Sequence, residues 1–318
     1  MTKIKRMWER LSSAMGSASS TPEYEHIQID ESYTAHVKPD PGLSRLGEFL
    51  MWIALKLGPT EQLSTLKEPL PPTKFAVMSD GTRIAYVVQG SGNPVILLPG
   101  ASCDKSYYFR YGLAAMLVQS GFQVICLDGL AHCESDAPTD WEYYLQKPRA
   151  AGVVSVMDAE GIQTAHMIGY SMGSWTICAV AQFFPDRILS AIIGGWSPGV
   201  SRPAVLAGIS TETWIKVFKS AVVGNMEWYK ESMATGFGHV LMMFYRDVHG
   251  QEEALAALDV PVVIWTGSKD HDHRNTREMV KKHGWRTIVI ENADHNKASQ
   301  SAEQVASMLK KIIGATGM

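Results

Sequence analysis

The sequence predicts an α/β protein built on a mostly parallel, eight-stranded sheet with helices on both faces. From residue 73 onward, apolar runs of strand length alternate with segments of helical pattern, which is typical of parallel sheets. Two runs, Val95–Leu98 and Phe122–Leu127, end at Pro-Gly and Asp-Gly, as strands buried on both faces often do. With 318 residues and 46% hydrophobic content, the chain can bury the core of one large domain with insertions.

The predicted core comprises residues 73–196 and 254–318. It begins after the linker Glu68-Pro69-Leu70-Pro71-Pro72, because prolines neither continue a helix nor join a central strand. Asp80-Gly81 lies between the first two predicted strands and indicates a hairpin. The predicted strands are 74–78, 83–88, 95–98, 122–127, 164–168, 188–193, 260–265 and 287–290. The predicted helices are 107–119, 141–160 with an interruption near Pro148, 172–184, 275–283 and 298–313.

Two further segments are predicted to be helical and to lie outside the sheet. Residues 197–253 contain successive helical patterns without strands, which indicates an inserted helical cap. Residues 1–72 are predicted to form an N-terminal helical extension, whose first helix is basic and amphipathic over residues 1–15. Such a helix could contact a membrane surface, although packing against this domain or another subunit is the commoner role.

Composition argues against several classes of function. The formal net charge of -3 gives no general attraction to nucleic acid. The four cysteines lack the spacing of a zinc site, so we expect reduced thiols and no metal. The N-terminus lacks the apolar segment of a secretory signal, and the most apolar run, Phe49–Leu55, is too short to span a membrane. We therefore expect a cytoplasmic protein.

The strongest functional signal is the stretch Gly169-Tyr170-Ser171-Met172-Gly173. It reads Gly-x-Ser-x-Gly, follows an apolar run and precedes a helical pattern. In that setting a sharp turn from strand to helix holds the serine hydroxyl out toward a substrate, and the glycines let the strand and the helix approach closely. We predict that Ser171 is a nucleophile.

A serine nucleophile needs a base and a carboxylate that orients the base. Asp270 follows the seventh predicted strand and His295 follows the eighth. Because parallel strands deliver their C-terminal ends to one edge of the sheet, both residues can meet Ser171 there. Two backbone amides must also bind the oxyanion, and we predict those of Ala101, after the third strand, and Met172, beside the nucleophile.

Other interpretations of these regions stay open. Asp272 is a second candidate for the acid, and the run Asp270-His271-Asp272-His273 could contribute to a metal site, although it would need distant ligands. His132 and Cys133 could form a cysteine–histidine pair, but no strand-to-helix elbow surrounds Cys133. Candidates for the substrate pocket are apolar side chains that would also suit plain core packing: Trp196, Trp214, Phe218, Met242 and Met243.

Five stretches in this order resemble the α/β-hydrolase superfamily, in particular its capped esterase and lactonase-like members. They are Leu98-Pro99-Gly100-Ala101, Asp128-Gly129-Leu130-Ala131-His132, Gly169–Gly173, Gly267-x-x-Asp270 and Ala293-Asp294-His295. The resemblance runs from about residue 73 to the C-terminus and implies a Ser-His-Asp triad. Epoxide hydrolases and haloalkane dehalogenases of this fold use an aspartate where this chain has Ser171. Many members have histidine in place of Pro99 and glycine in place of Cys133.

The predicted function is that of a serine hydrolase. It would cleave a small or medium carboxylic ester, a lactone or a related acyl compound through an acyl-enzyme, without a cofactor. Its predicted partner is the small-molecule acyl substrate, and a homo-oligomer is compatible with the sequence. The alternatives are a non-catalytic ligand-binding or signalling protein of the same fold, a carbon–carbon bond hydrolase and a cofactor-free perhydrolase.

Overall fold

The computed structural model describes residues 66–101, 103–200 and 247–316. Its strands are β1 (Lys74–Val77), β2 (Arg83–Gln89), β3 (Asn93–Leu98), β4 (Phe122–Leu127), β5 (Ala165–Tyr170), β6 (Ile188–Gly194), β7 (Val262–Gly267) and β8 (Arg286–Ile290). Its α-helices are α1 (Tyr107–Arg110), α2 (Leu113–Gln119), α3 (Gln146–Ala159), α4 (Met172–Phe183), α5 (Gln251–Ala256), α6 (His273–His283), α7 (His295–Ser299) and α8 (Ala302–Thr316). The strands form one eight-stranded sheet in the order β1-β2-β4-β3-β5-β6-β7-β8.

The sheet is mostly parallel, as predicted. β1 pairs with β2 and β2 pairs with β4 in antiparallel orientation, and the remaining neighbours are parallel. Gly81 closes the predicted hairpin with a φ of 88°, a conformation that glycine adopts without steric cost. The parallel strands therefore bring the loops after β3, β5, β7 and β8 to one edge of the sheet.

Helices cover both faces of the sheet, and each face has its own core. On one face, Trp175 of α4 belongs to a buried cluster with Ile96 of β3. On the other face, Leu117 of α2 and Leu309 of α8 belong to a cluster with Leu97, the next residue along β3. Successive residues of a strand point to opposite faces, so a central strand must be apolar throughout. This explains the continuous apolar runs in the sequence.

The structure corrects three of the predicted helices. The helix predicted over residues 107–119 is divided by Gly112, which has a φ of 85°. The helical region predicted over residues 141–160 is interrupted at Leu145, between a 3-10 turn (Trp141–Tyr144) and α3. Pro148 lies in the first turn of α3, where a missing N–H removes no helical hydrogen bond. The last predicted helix is two helices, α7 and α8. No strand begins or ends more than two residues from its predicted position.

Most of the predicted extension and cap lies outside the described residues, which include neither residues 1–65 nor residues 201–246. The basic segment 1–15 therefore stays a prediction. The predicted boundary between residues 253 and 254 falls inside α5, which packs against α4. Just before α5, the Asp247 carboxylate accepts hydrogen bonds from the backbone N–H of Gln146 at 2.6 Å and from its side-chain amide at 2.9 Å. These bonds join residue 247 to the start of α3.

The described helices and the cysteines can be compared with the expectations from the sequence. Among the described residues, no helix has both the length and the apolarity that crossing a bilayer requires. The cysteines are free thiols, with Cys126 and Cys178 buried and Cys103 and Cys133 partly buried.

Gly267, the last residue of β7, provides a test of the tight packing at the sheet edge. A Cβ atom there would lie 2.2 Å from the backbone oxygen of Ala293. We expect Gly267→Ala to lower the free energy of unfolding by about 1–3 kcal/mol in urea denaturation, because backbone must move. Gly314 of α8 is the control, since nothing lies within 4 Å of its Cβ position. Gly314→Ala should raise that free energy by about 0.5–1 kcal/mol, and an equal effect of both substitutions would contradict the steric explanation.

Candidate active site

The turn between β5 and α4 holds Ser171 in a strained backbone conformation. Its φ is 54° and its ψ is -116°, values that a residue with a side chain rarely adopts. Ser171 is half-buried, and its backbone N–H donates to the carbonyl of Gly194 at 2.7 Å. The predicted sharp turn from strand to helix is therefore present at this serine.

Both glycines of the Gly-x-Ser-x-Gly motif are required by close backbone contacts. A Cβ atom on Gly173 would lie 1.9 Å from the carbonyl oxygen of Leu98, the last residue of β3. A Cβ atom on Gly169 would lie 2.7 Å from the carbonyl carbon of Gly173. Any larger residue at position 173 would push α4 away from β3, so these glycines set how closely the helix approaches the sheet.

Ser174 supports the turn, although no sequence motif singles it out. Its hydroxyl lies 2.8 Å from the carbonyl oxygens of Gly169 and Gly194, and it accepts the N–H of Gly194 at 2.8 Å. The side chain is fully buried. Ser174 thus ties the first turn of α4 to both β5 and β6.

The structure brings the predicted acid and base together. Nδ1 of His295, the first residue of α7, lies 2.9 Å from Oδ2 of Asp270 in the loop after β7. The two loops are also bonded through their backbones, since the N–H of Lys269 donates to the carbonyl of Ala293 at 2.9 Å. A second such bond of 3.0 Å joins Ser268 to Ile290. Asp270 and His295 are therefore carried by two loops that act as one unit.

Asp270 is buried and accepts hydrogen bonds on both carboxylate oxygens. Besides His295, Oδ2 accepts the Tyr170 hydroxyl at 2.9 Å, and Oδ1 accepts the backbone N–H of Asp272 at 3.0 Å and lies 3.1 Å from Nδ1 of His271. Burial alone would raise the pKa of Asp270, but His295, His271 and the Asp272 amide outweigh it and hold that pKa well below its usual range. The carboxylate is ionised at neutral pH.

These contacts favour Asp270 over Asp272 as the partner of His295. They also bear on the metal alternative, because Asp270, His271 and His295 offer ligand-type atoms within 4.8 Å of one another. Oδ2 of Asp270 already lies within hydrogen-bond distance of His295 and Tyr170, and Oδ1 accepts the Asp272 amide and lies 3.1 Å from Nδ1 of His271. This arrangement fits a hydrogen-bonded carboxylate better than a metal cage.

The two predicted oxyanion amides lie on either side of the contact between β3 and α4. Met172 is the first residue of α4, and Ala101 lies in the turn after β3. In the part of the chain that the structure describes, neither amide donates a hydrogen bond to the protein. Amides that lack an internal acceptor at a helix start and in a neighbouring turn are suited to an anionic oxygen.

A buried ion pair fixes the loop that carries Ala101. The ammonium group of Lys105 donates to Oδ2 of Asp128 at 2.8 Å, its backbone N–H donates to Oδ1 at 2.7 Å, and it also pairs with Glu134. Burial raises the pKa of Asp128 to about 6 against the opposing charge of Lys105, so the carboxylate is ionised at neutral pH. The loop after β3 is thereby fastened to the loop after β4.

The alternative pair of His132 and Cys133 is not suited to nucleophilic catalysis. Burial lowers the pKa of His132 to about 4 and raises the pKa of Cys133 to about 12. At neutral pH the imidazole is uncharged and the sulfur remains a thiol, which is a poor nucleophile. Cys133 has a φ of 45°, a conformation that favours glycine.

A cavity of about 30 Å³ is lined in part by Met172 and Gly173 of the nucleophile motif's turn into α4. It opens between the ends of β3 and β4 and helices α3 and α4, and its wall is mainly apolar. The lining includes Leu98, Leu127, Leu130, Val153 and Met172, with His132, Arg149 and Thr176 among its polar members.

The predicted pocket residues have different outcomes. Trp196 is fully buried, and its Nε1 donates to Oε1 of Gln251 at 2.9 Å. It belongs to the core cluster that contains Trp175 and does not line this cavity. The other candidates, Trp214, Phe218, Met242 and Met243, lie outside the described residues.

Comparison with known proteins agrees with this architecture. A family model described as the alpha/beta hydrolase fold matches residues 93–203. An esterase from Rhodococcus sp. ECU1013 has a similar solved structure, with a TM-score of 0.57 and 22% sequence identity, over 76% of this chain and 98% of that one. This chain has the alpha/beta-hydrolase fold.

Curated proteins with sequences similar to this alpha/beta-hydrolase-fold chain are named as different kinds of hydrolase. A bifunctional epoxide hydrolase 2 from Sus scrofa is 30% identical over 128 residues, which are 37% of this chain and 23% of that protein. A 2-hydroxy-6-oxo-6-phenylhexa-2,4-dienoate hydrolase from Comamonas testosteroni is 32% identical over 149 residues, which are 43% of this chain and 50% of that protein. The matches therefore span half or less of these relatives.

The strain at Ser171 leads to a stability prediction. A non-glycine residue held in such a conformation costs about 1–3 kcal/mol, and glycine would relieve this cost. The substitution to glycine also lowers the free energy of unfolding by about 0.5–1 kcal/mol, because glycine makes the unfolded chain more flexible. We expect Ser171→Gly to unfold at a higher urea concentration than Ser171→Ala, which keeps a Cβ atom at φ 54°. If the alanine variant were the more stable one, the turn would not be strained.

Proposed function

We propose that this protein is a serine hydrolase that cleaves a small or medium carboxylic ester or a lactone through an acyl-enzyme. The observation that carries the proposal is the 2.9 Å contact between His295 and Asp270, at the sheet edge where the strained turn presents Ser171. A buried, ionised carboxylate that accepts Nδ1–H of an imidazole leaves Nε2 as the basic nitrogen.

In the proposed reaction, Nε2 of His295 removes the hydroxyl proton of Ser171 as the serine oxygen attacks the substrate carbonyl. The amides of Ala101 and Met172 bind the oxyanion of the tetrahedral intermediate. His295 then donates the proton to the departing alcohol, and the acyl group remains on Ser171. Water attacks the acyl-enzyme in the same way, with His295 first accepting a proton and then returning it to Ser171. This chemistry needs no cofactor.

The serine also favours an ester over an epoxide as substrate. If Ser171 opened an epoxide, the product would be an ether, which water does not readily cleave. A carboxylate nucleophile gives an ester at the same step, and that ester can be hydrolysed. Because the turn carries Ser171, an acyl substrate is the one from which the proposed enzyme can be regenerated.

Carbon–carbon bond hydrolysis is a second candidate, favoured by the similarity to the Comamonas testosteroni hydrolase. The compound in that protein's name contains oxo and hydroxy groups and no ester. The same serine and base could serve such a substrate. Product analysis separates the two candidates. Both reactions release a carboxylic acid, but an ester also releases an alcohol, whereas a carbon–carbon substrate releases a fragment with a new C–H bond.

A fluorophosphonate probe tests the proposed nucleophile. We expect wild type to be labelled, with the adduct mapped to Ser171 by mass spectrometry, because the probe reacts with an activated serine. Ser171→Ala should not be labelled, and its hydrolysis of p-nitrophenyl esters should fall by about 10⁴-fold or more. Ser155→Ala, on α3, serves as the control that keeps labelling and turnover. Unlabelled wild type, or a Ser171→Ala variant that retains turnover, would show that the mechanism is wrong.

Replacement of the two loop aspartates tests the acid. Asp270→Asn keeps the shape of the side chain but favours the wrong tautomer of His295, so we expect kcat to fall by about 10⁴-fold. Asp272→Asn is the matched control, because the contact of Asp272 with Asp270 runs through its backbone N–H. Its kcat should fall by less than about tenfold. The opposite ranking in steady-state kinetics would assign the role to Asp272.

A further inference from the structure

Tyr170 connects the nucleophile turn directly to the acid. Its hydroxyl donates to Oδ2 of Asp270 at 2.9 Å, and this is the oxygen that lies 2.9 Å from Nδ1 of His295. Tyr170 is the residue immediately before Ser171 and is only 2% exposed. Tyr170 therefore connects the turn that carries Ser171 to the carboxylate of Asp270, which is also the partner of His295.

The ring of Tyr170 is held on several sides. It packs edge-on against Trp265 with ring centroids 4.8 Å apart and against His295 with centroids 4.9 Å apart. A Cβ atom on Gly194 or on Gly195 would lie 2.5 Å from this ring, so two consecutive glycines make room for it. A tyrosine packed in this way cannot swing its hydroxyl away from Asp270 without moving the backbone of β6.

The hydroxyl acts as a donor under all ordinary conditions. Burial, together with the charge of Asp270 and the hydrogen bond to it, raises the pKa of Tyr170 well above its usual value. Two donors on one oxygen share its charge, so the phenol reduces the negative charge that Oδ2 can direct at His295. Among the described residues, the other titratable groups that face this cluster are His271, Asp272 and Tyr107.

We propose that Tyr170 is a positioning residue that orients the Asp270 carboxylate and limits how strongly it attracts the proton of His295. The predicted effects on kcat and kcat/KM rest on the proposed hydrolase function. The hydrogen bond itself can be tested without turnover.

Removal of the hydroxyl should have a defined direction. In Tyr170→Phe, Oδ2 keeps His295 as its donor and its charge acts more fully on the imidazolium. His295 should then hold its proton to higher pH, so the midpoint of its NMR titration should rise by about half a pH unit or more. For the same reason the acid limb of kcat/KM should move to higher pH. We expect kcat to fall about tenfold with little change in KM, because the phenol orients Asp270 and is buried.

The experiment compares the full-length wild type, Tyr170→Phe and Tyr86→Phe by NMR titration of the histidine ring carbons, with His295→Gln to assign the signal. Tyr86 is the control, since it is a buried tyrosine whose hydroxyl donates to a carboxylate, Oε1 of Glu160, at 2.7 Å in a partly buried contact. Tyr86→Phe should leave the His295 midpoint unchanged. A merely structural role of Tyr170 would lower the stability of Tyr170→Phe without moving the His295 midpoint.

A folded Tyr170→Phe variant with an unmoved His295 midpoint would overturn the proposal. If this variant does not fold, 3-fluorotyrosine at position 170 keeps the packing and makes the phenol a stronger donor. The midpoint should then move to lower pH, and no movement would overturn the proposal as well. Labelling of Ser171 by the fluorophosphonate probe is measured separately, so a failure of the hydrolase function is distinguishable from a failure of the Tyr170 proposal.

Discussion

The candidate site depends on how closely the first turn of α4 approaches the end of β3. At Gly173 the two backbones are so near that a Cβ atom would lie 1.9 Å from the carbonyl oxygen of Leu98. This approach forces the strained turn at Ser171, and it places the Met172 amide beside the loop that carries Ala101. The ion pair of Lys105 and Asp128 then holds that loop against its neighbour. The positions of Ser171 and of the two amides proposed to bind the oxyanion thus depend on a backbone contact that only glycine permits.

Much of the fold could be predicted because the central strands are buried on both faces. A run such as Val95–Leu98 has to be apolar throughout, and its length and flanking glycine distinguish it from a helix. The motif at Ser171 could be placed for the same reason, since it follows one such strand. Errors arose where the local pattern is ambiguous: Pro148 is compatible with an interruption or with a first helical turn, and only the packed structure selects between them.

Apart from the pairing of Asp270 with His295, the polar contacts of the site could not be predicted, because they join residues that are distant in the chain. Tyr170 and Asp270 are 100 positions apart, and no periodicity relates them. Which of Asp270 and Asp272 partners His295 was difficult to predict for another reason: both follow the same strand, and both are buried. Only the position of His295 separates them. Sequence reasoning could name the loops that meet at the sheet edge, but which atoms face each other depends on the packing of the whole sheet.

The backbone hydrogen bonds between the loops after β7 and β8 join these loops to each other and not to the turn that carries Ser171. The candidate site can therefore be described as two structural units. Lys269 and Ser268 donate backbone hydrogen bonds to Ala293 and Ile290, so the loop that carries Asp270 is joined directly to the loop that leads to His295. The serine belongs to a second assembly, formed by β5, α4 and the end of β3. A relative shift of these two bodies would change the separation of serine and histidine while preserving the geometry of the histidine and its carboxylate. The fold thus separates the distance between Asp270 and His295 from the distance between Ser171 and His295, and only the second has to change if Ser171 reacts as proposed.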